Sequence, residues 1–169
     1  AALALGRYQF DRKDYKLSNR YFLAIRDTLG SSVEKVIAQQ FIADGLYAQQ
    51  RYTNALSAYL QILGMNPTPN QKYHALFRAA DISFTLQRIE TGQDYLQTLA
   101  SYRLYFDSLT VLRLKMAEGF EWQDKLTRAE EYYKLVVAEA PNKTHQADAN
   151  LALGLIYQFD YDDLAGAKK

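Results

Sequence analysis

The chain has 169 residues, enough for one or two domains, and 49% of them are hydrophobic, a composition that excludes an intrinsically disordered segment. Lys and Arg total 20 against 19 Asp and Glu, so the net charge of +1 gives no overall attraction to nucleic acid or to a charged surface. There is no cysteine, hence no disulfide, thiol nucleophile or cysteine metal site, and no apolar run approaches the ~20 residues that a membrane helix needs.

In chain order, residues 1–13 read as a helix around Gly6, and the polar stretch DRKDY makes a short turn into a second helix that begins near Ser18. The same pair follows around Ala43 and from Ala55, with AQQRY between them; Pro67 ends the second helix because proline cannot continue a helix interior. After the loop NPTPNQ come a helix around Ala80 and one from Gly92. Next are a helix around Ala117, the turn EWQDKL, and a helix from Ala129 that Pro141 ends. The loop NKTHQ leads to a helix around Gly154, and residues 166–169 stop inside one more.

These elements repeat. Gly6, Ala43, Ala80, Ala117 and Gly154 are spaced by 37 residues, and Ser18, Ala55, Gly92, Ala129 and Gly166 form a second ladder twelve residues on. Small side chains at both rungs let two helix backbones approach closely. Large apolar residues at three- and four-residue offsets, such as Phe22, Tyr59, Leu96 and Tyr133, fill the space beside the crossing. Each unit is therefore a helix pair, A then B, and the approximate repeats are 1–35, 36–72, 73–109, 110–146 and 147–169. Both ends fall inside helices, so the array is expected to be part of a longer one. Truncated half-repeats with bare apolar faces also leave room for self-association.

The pattern L-G-x-x-Y, then A-x-x-x-F/Y, then P resembles the tetratricopeptide repeat (TPR). It stands here as Leu153-Gly154-x-x-Tyr157, as Ala55-x-x-x-Tyr59 with Pro67, and as Ala129-x-x-x-Tyr133 with Pro141. The resemblance implies an all-α, right-handed α-solenoid of stacked antiparallel helix pairs, with a concave face lined by the A helices. The chain departs from the family in its period of 37 rather than about 34 residues. It also lacks the usual large residue three before the apolar-small pair, where Gln39, Leu76, Arg113 and Asn150 stand. The three extra residues fall between helix B and the next helix A.

Catalytic patterns are absent from the sequence: it has no H-E-x-x-H, G-x-S-x-G, P-loop or G-x-G-x-x-G. His74 is expected just before an A helix and His145 in the NKTHQ loop, each as a solvated loop or groove residue rather than a ligand or base. Asp160, Asp162 and Asp163 read as a polar turn rather than a metal cluster, lacking EF-hand spacing and its closing glutamate. No cofactor is expected, and the chain reads as no enzyme.

The resemblance places the column Arg7, Asp44, Asp81, Glu118, Leu155 on the concave face. Asp44, Asp81 and Glu118 would then line a groove together with Gln40, Glu121 and the rings of Tyr47, Phe77, Phe84, Trp122 and Phe159. Carboxylates pair with ammonium and guanidinium groups, and aromatic faces take apolar side chains, cations or sugar rings. The competing reading is local: the acids pair with Arg78, Arg88 or Lys115, and Phe77 and Phe84 pack on neighbouring helices. The acidic column has the wrong sign for an acidic chaperone tail. The function read from this is a protein-interaction scaffold that binds a basic, apolar partner segment or organises a complex. The alternative is a periplasmic module of bacterial exopolysaccharide export that binds a cationic or amino-sugar polymer. Nucleic acid is not an expected partner, and the compartment leans towards the periplasm.

Overall fold

The computed structural model describes residues 1–102 and 106–160, with side chains for all of these except 106–108 and 160. Their regular structure is all helical, with no strand among the described residues. The helices are α1 (Ala2–Asp11), α2 (Tyr15–Ala24), α3 (Ser32–Ala48), α4 (Tyr52–Leu63), α5 (Pro69–Thr85), α6 (Ile89–Ala100), α7 (Phe106–Trp122), α8 (Leu126–Glu139) and α9 (Lys143–Leu155). Helices α2 and α9 each run on into one π-helical turn, Ile25–Leu29 and Ile156–Asp160. None is long and apolar enough to cross a membrane.

The helix boundaries recur with the period of the small-residue ladders. Ser32, Pro69, Phe106 and Lys143 begin helices 37 residues apart, and so do Tyr15, Tyr52, Ile89 and Leu126. The A-to-B turns share one construction. Lys13, Gln50, Gln87 and Asp124 have φ between 57° and 63°, the left-handed conformation. The next amide reaches back five residues, Asp14 N to Gln9 O at 3.0 Å, Arg51 N to Leu46 O at 3.0 Å, Arg88 N to Ser83 O at 2.8 Å and Lys125 N to Phe120 O at 2.8 Å. This is a Schellman termination, made four times with a non-glycine residue at the position that favours glycine.

The starts of α3, α5 and α9 are capped by side chains. Ser31 and Glu34 bond reciprocally to each other's backbone amides, Thr68 and Gln71 do the same, and Asn142 accepts from the Thr144 amide. Pro67 does not itself end α4, which closes at Leu63; Pro69 instead occupies the first position of α5, where a missing N–H costs nothing. Pro141 does stop α8, because the residue before it, Ala140, is held extended at φ −67° and ψ 125°.

The chain resolves into two compact units, 1–82 and 83–169. In the first, α1 packs on α2 and α3, and α3 on α4. Gly6 and Ser18 meet at the first crossing: the Ser18 hydroxyl donates to the Gly6 carbonyl at 3.0 Å, and a Cβ at Gly6 would lie 2.8 Å from the Phe22 ring. Phe22 stacks on Phe41 with centroids 4.7 Å apart, and Ile25, Ala38 and Ile42 complete that core. Gln39, at the position where the family's large residue is missing, is buried. Its amide nitrogen donates to Ala58 O at 2.9 Å and Gln61 Oε1 at 3.0 Å, so a polar bracket ties α3 to α4.

In the second unit α7 packs on α6, α8 and α9, burying Leu112, Met116, Phe120, Tyr133 and Val136. Arg113 plays the bracketing part here by an ion pair to Glu139 at 2.5 Å.

Candidate functional site

The first unit contains three of the expected acidic and aromatic residues in a connected polar network. Asp44 on α3 accepts a 2.5 Å hydrogen bond from the hydroxyl of Tyr59 on α4, and Nε2 of His74 on α5 lies 3.8 Å from the same oxygen. Tyr47, one turn along α3, donates to Asp81 Oδ2 at 2.6 Å. The Arg78 guanidinium stands 4.5 Å from the Tyr47 ring centroid and 3.8 Å from the Asp81 carboxylate. Loss of water, and then the neighbouring carboxylate, pushes the Tyr47 hydroxyl up to about 12 and drives Tyr59 well above the usual phenol range. Both tyrosines are therefore fixed as donors.

This geometry changes the expected acidic line. Asp81 is only 4% exposed and is held by Tyr47 and Arg78, so it is a buried structural carboxylate, as the local-pairing reading has it. His74 is not a solvated residue ahead of the helix. It lies within α5, half-buried and edge-on to the Tyr59 ring at 5.8 Å, and its Nδ1 has no hydrogen-bond partner. Burial, opposed by Asp44 and reinforced by Arg78, lowers its pKa below 6.5. His145 likewise belongs to a helix, α9, because the Asn142 cap starts that helix earlier than the NKTHQ composition implies. Gln40 and Phe77 are half-buried in the first unit, Phe77 with Arg78 5.9 Å from its ring centroid.

In the second unit the residues divide differently. Phe84 is 3% exposed and packs over Gly92, where an added Cβ would come within 2.4 Å of its ring. Glu121 accepts from the Tyr133 hydroxyl at 2.9 Å, and burial with that carboxylate raises the Tyr133 pKa far above the phenol range. Glu118 is different. It is exposed, and it has no hydrogen-bond or ion-pair partner among the described residues. Its carboxyl is nonetheless held above 4.5, first by partial loss of water, then by Glu121 and Asp148, against the pull of Lys115. One helical turn on, Trp122 is 72% exposed. Glu118, Trp122 and the edge of Phe84 line one cavity of about 400 Å³ with Thr85, Gln87, Lys115 and Gly119.

Phe159 is 70% exposed on the π-helical turn after α9 and is not among the residues of that cavity. Among the described residues no group of three or more His, Asp or Glu is placed to hold a metal. Asp162 and Asp163, and the side chain of Asp160, lie outside the described residues.

No protein-family model and no curated protein matches the chain. A solved structure, "MamA RS-1 ArsTM double mutant", matches with a TM-score of 0.74 at 11% identity, covering 98% of this chain and 86% of that one. MamA is a TPR-containing protein, and at this identity the likeness is one of fold. The chain has an all-helical, TPR-like solenoid fold, in keeping with the expectation from the ladders.

Proposed function

We propose that this chain is a non-catalytic interaction scaffold, and that the α7 cavity takes a partner segment presenting a cation beside an apolar side chain. The observation that carries this is the pairing of Glu118, an acid without a partner, with Trp122, a large ring left in solvent one turn away. Neither does structural work for the fold. A carboxylate that has already lost part of its hydration gains more from a guanidinium or ammonium than a fully solvated one, and the indole supplies a face for the apolar neighbour.

Asp44, Gln40, Tyr47 and Phe77 make a second candidate surface in the first unit, weaker because Tyr59 and His74 already occupy Asp44. The division into the approximate repeats 1–35, 36–72, 73–109, 110–146 and 147–169 belongs to the same reading. A cationic or amino sugar is the alternative occupant: a ring stacked on Trp122 with its ammonium on Glu118 would use the same two groups. An exopolysaccharide-export role and a cell-envelope location rest on that alternative alone.

The test is capture from source-cell extract by the protein and by its Glu118→Lys variant, with chitosan oligomers run in parallel. Partners held by the first and lost by the second support the reading; retention of oligomers in the same pattern moves it to the sugar. Equal recovery by both proteins removes the α7 cavity from the function.

A further inference from the structure

Helix α9 has a second apolar side. Its packed side buries Ala149, Leu153 and, at its C-terminal end, Ile156. On the other side Leu151 is 67% exposed, Leu155 45% and Phe159, on the π-helical turn that follows, 70%. The three are spaced by four residues, so they form one row about 12 Å long. Single exposed leucines are ordinary, but a row that the core does not use marks an interaction surface.

Charge selects what lies on that row. Asp148 is one turn before Leu151 on the same side of α9; it is exposed and has no hydrogen-bond or ion-pair partner among the described residues. It is near enough to Glu118 on α7 to help raise that carboxyl, with Lys115 pulling the other way. Two unpaired carboxylates, one on each of two packed helices, therefore stand close together beside the row. A cation placed between them gains from both and relieves their repulsion.

Backbone chemistry selects the conformation. An extended segment would lay its own N–H and C=O groups over Leu151, Leu155 and Phe159, whose side chains have nothing to bond them. A helix satisfies those groups internally and presents apolar residues at the same three- and four-residue spacing.

We infer that α9 takes an amphipathic partner helix, its apolar stripe on Leu151, Leu155 and Phe159 and an Arg or Lys between Asp148 and Glu118. This rests on the reading of the α7 cavity and deepens it, giving the basic, apolar segment a helical form.

The experiment titrates the whole chain into three labelled peptides and follows their fluorescence anisotropy. The first carries Leu at helical spacing around one Arg, the second has the same residues reordered so that Leu alternates, and the third is the first with a central Ala changed to Pro. Saturable binding of the first is expected, with the second and third weaker by at least about tenfold. Leu151→Ser should weaken the first by about fivefold, through the loss of one apolar contact, with the melting temperature kept. Equal binding of all three peptides, still weakened by Glu118→Gln, would overturn the helical partner and leave the α7 reading standing. No saturable binding of any peptide, or binding indifferent to both substitutions, would overturn the two together. A dimer in sedimentation that Leu151→Ser dissolves would place a second copy on the row and overturn the inference.

Discussion

The hydroxyl of Tyr47 on α3 donates to the carboxylate of Asp81 on α5 at 2.6 Å, tying two successive A helices together through a charge-assisted hydrogen bond at an almost fully buried acid. The Arg78 guanidinium lies against both partners. An acid that the sequence places in a line of ligand-binding carboxylates is thereby part of the scaffold.

Tyr47→Phe removes only the hydroxyl. A hydrogen bond to a charged group contributes about 1.5–3 kcal/mol, so this variant should lose roughly that much in urea denaturation, with an unchanged slope. A loss under 0.5 kcal/mol would mean that water replaces the phenol at Asp81.

Glycines in this chain differ in what they do, and alanine separates them. Gly92→Ala would drive a Cβ to 2.4 Å from the Phe84 ring, and should destabilise by about 1–3 kcal/mol through overpacking. Gly45→Ala has room, and should stabilise by about 0.5–1 kcal/mol through helix propensity alone. Thermal unfolding of the two variants side by side checks both signs.

At the A-to-B turns the left-handed residues Lys13, Gln50, Gln87 and Asp124 each carry a Cβ where glycine is unstrained. Gln50→Gly or Gln87→Gly removes a cost of about 1–2 kcal/mol and adds about 0.4–1 kcal/mol of unfolded-chain entropy. The melting temperature should therefore rise modestly. Introducing β-branched valine at either site should lower it.

His74 makes stability depend on pH. Its folded-state pKa lies below the unfolded value of 6.5, so the unfolded chain takes the proton first. The contribution of the neutral ring is complete above pH about 6.5 and is lost as pH falls below it towards the folded pKa. Melting temperature measured from pH 8 to 5 should drop over that window, and His74→Gln should flatten the drop. An identical profile in the variant would assign the dependence to other groups.

The fold was legible because its signal is redundant. Gly6 against Ser18, and Gly92 beneath Phe84, show why small residues recur: backbones or rings lie directly over them. The reciprocal caps Ser31–Glu34 and Thr68–Gln71 were also readable, as S-x-x-E and T-x-x-Q, and would have placed the starts of α3 and α5. The brackets from Gln39 and Arg113 were not, since a polar side chain in a buried column carries no sign of the partner it will find.

For the candidate site, spacing put Asp44, Asp81 and Glu118 in one column but held no information on their partners. Tyr59 and Tyr47 claim the first two, and only three-dimensional geometry leaves Glu118 as the acid without one.

Trp122 is the sole tryptophan and sits one turn from Glu118, so its emission reports directly on the α7 cavity. The decisive measurement is a fluorescence titration with a short Arg- and Leu-containing peptide and its Glu-for-Arg counterpart, repeated on Glu118→Gln and across pH. The account predicts a saturable blue shift with the basic peptide only. It should weaken about tenfold in Glu118→Gln and be lost on acidification with a midpoint above 4.5, since the carboxyl must be ionised to bind. A shift of equal size with both peptides, or one indifferent to Glu118→Gln, would contradict it.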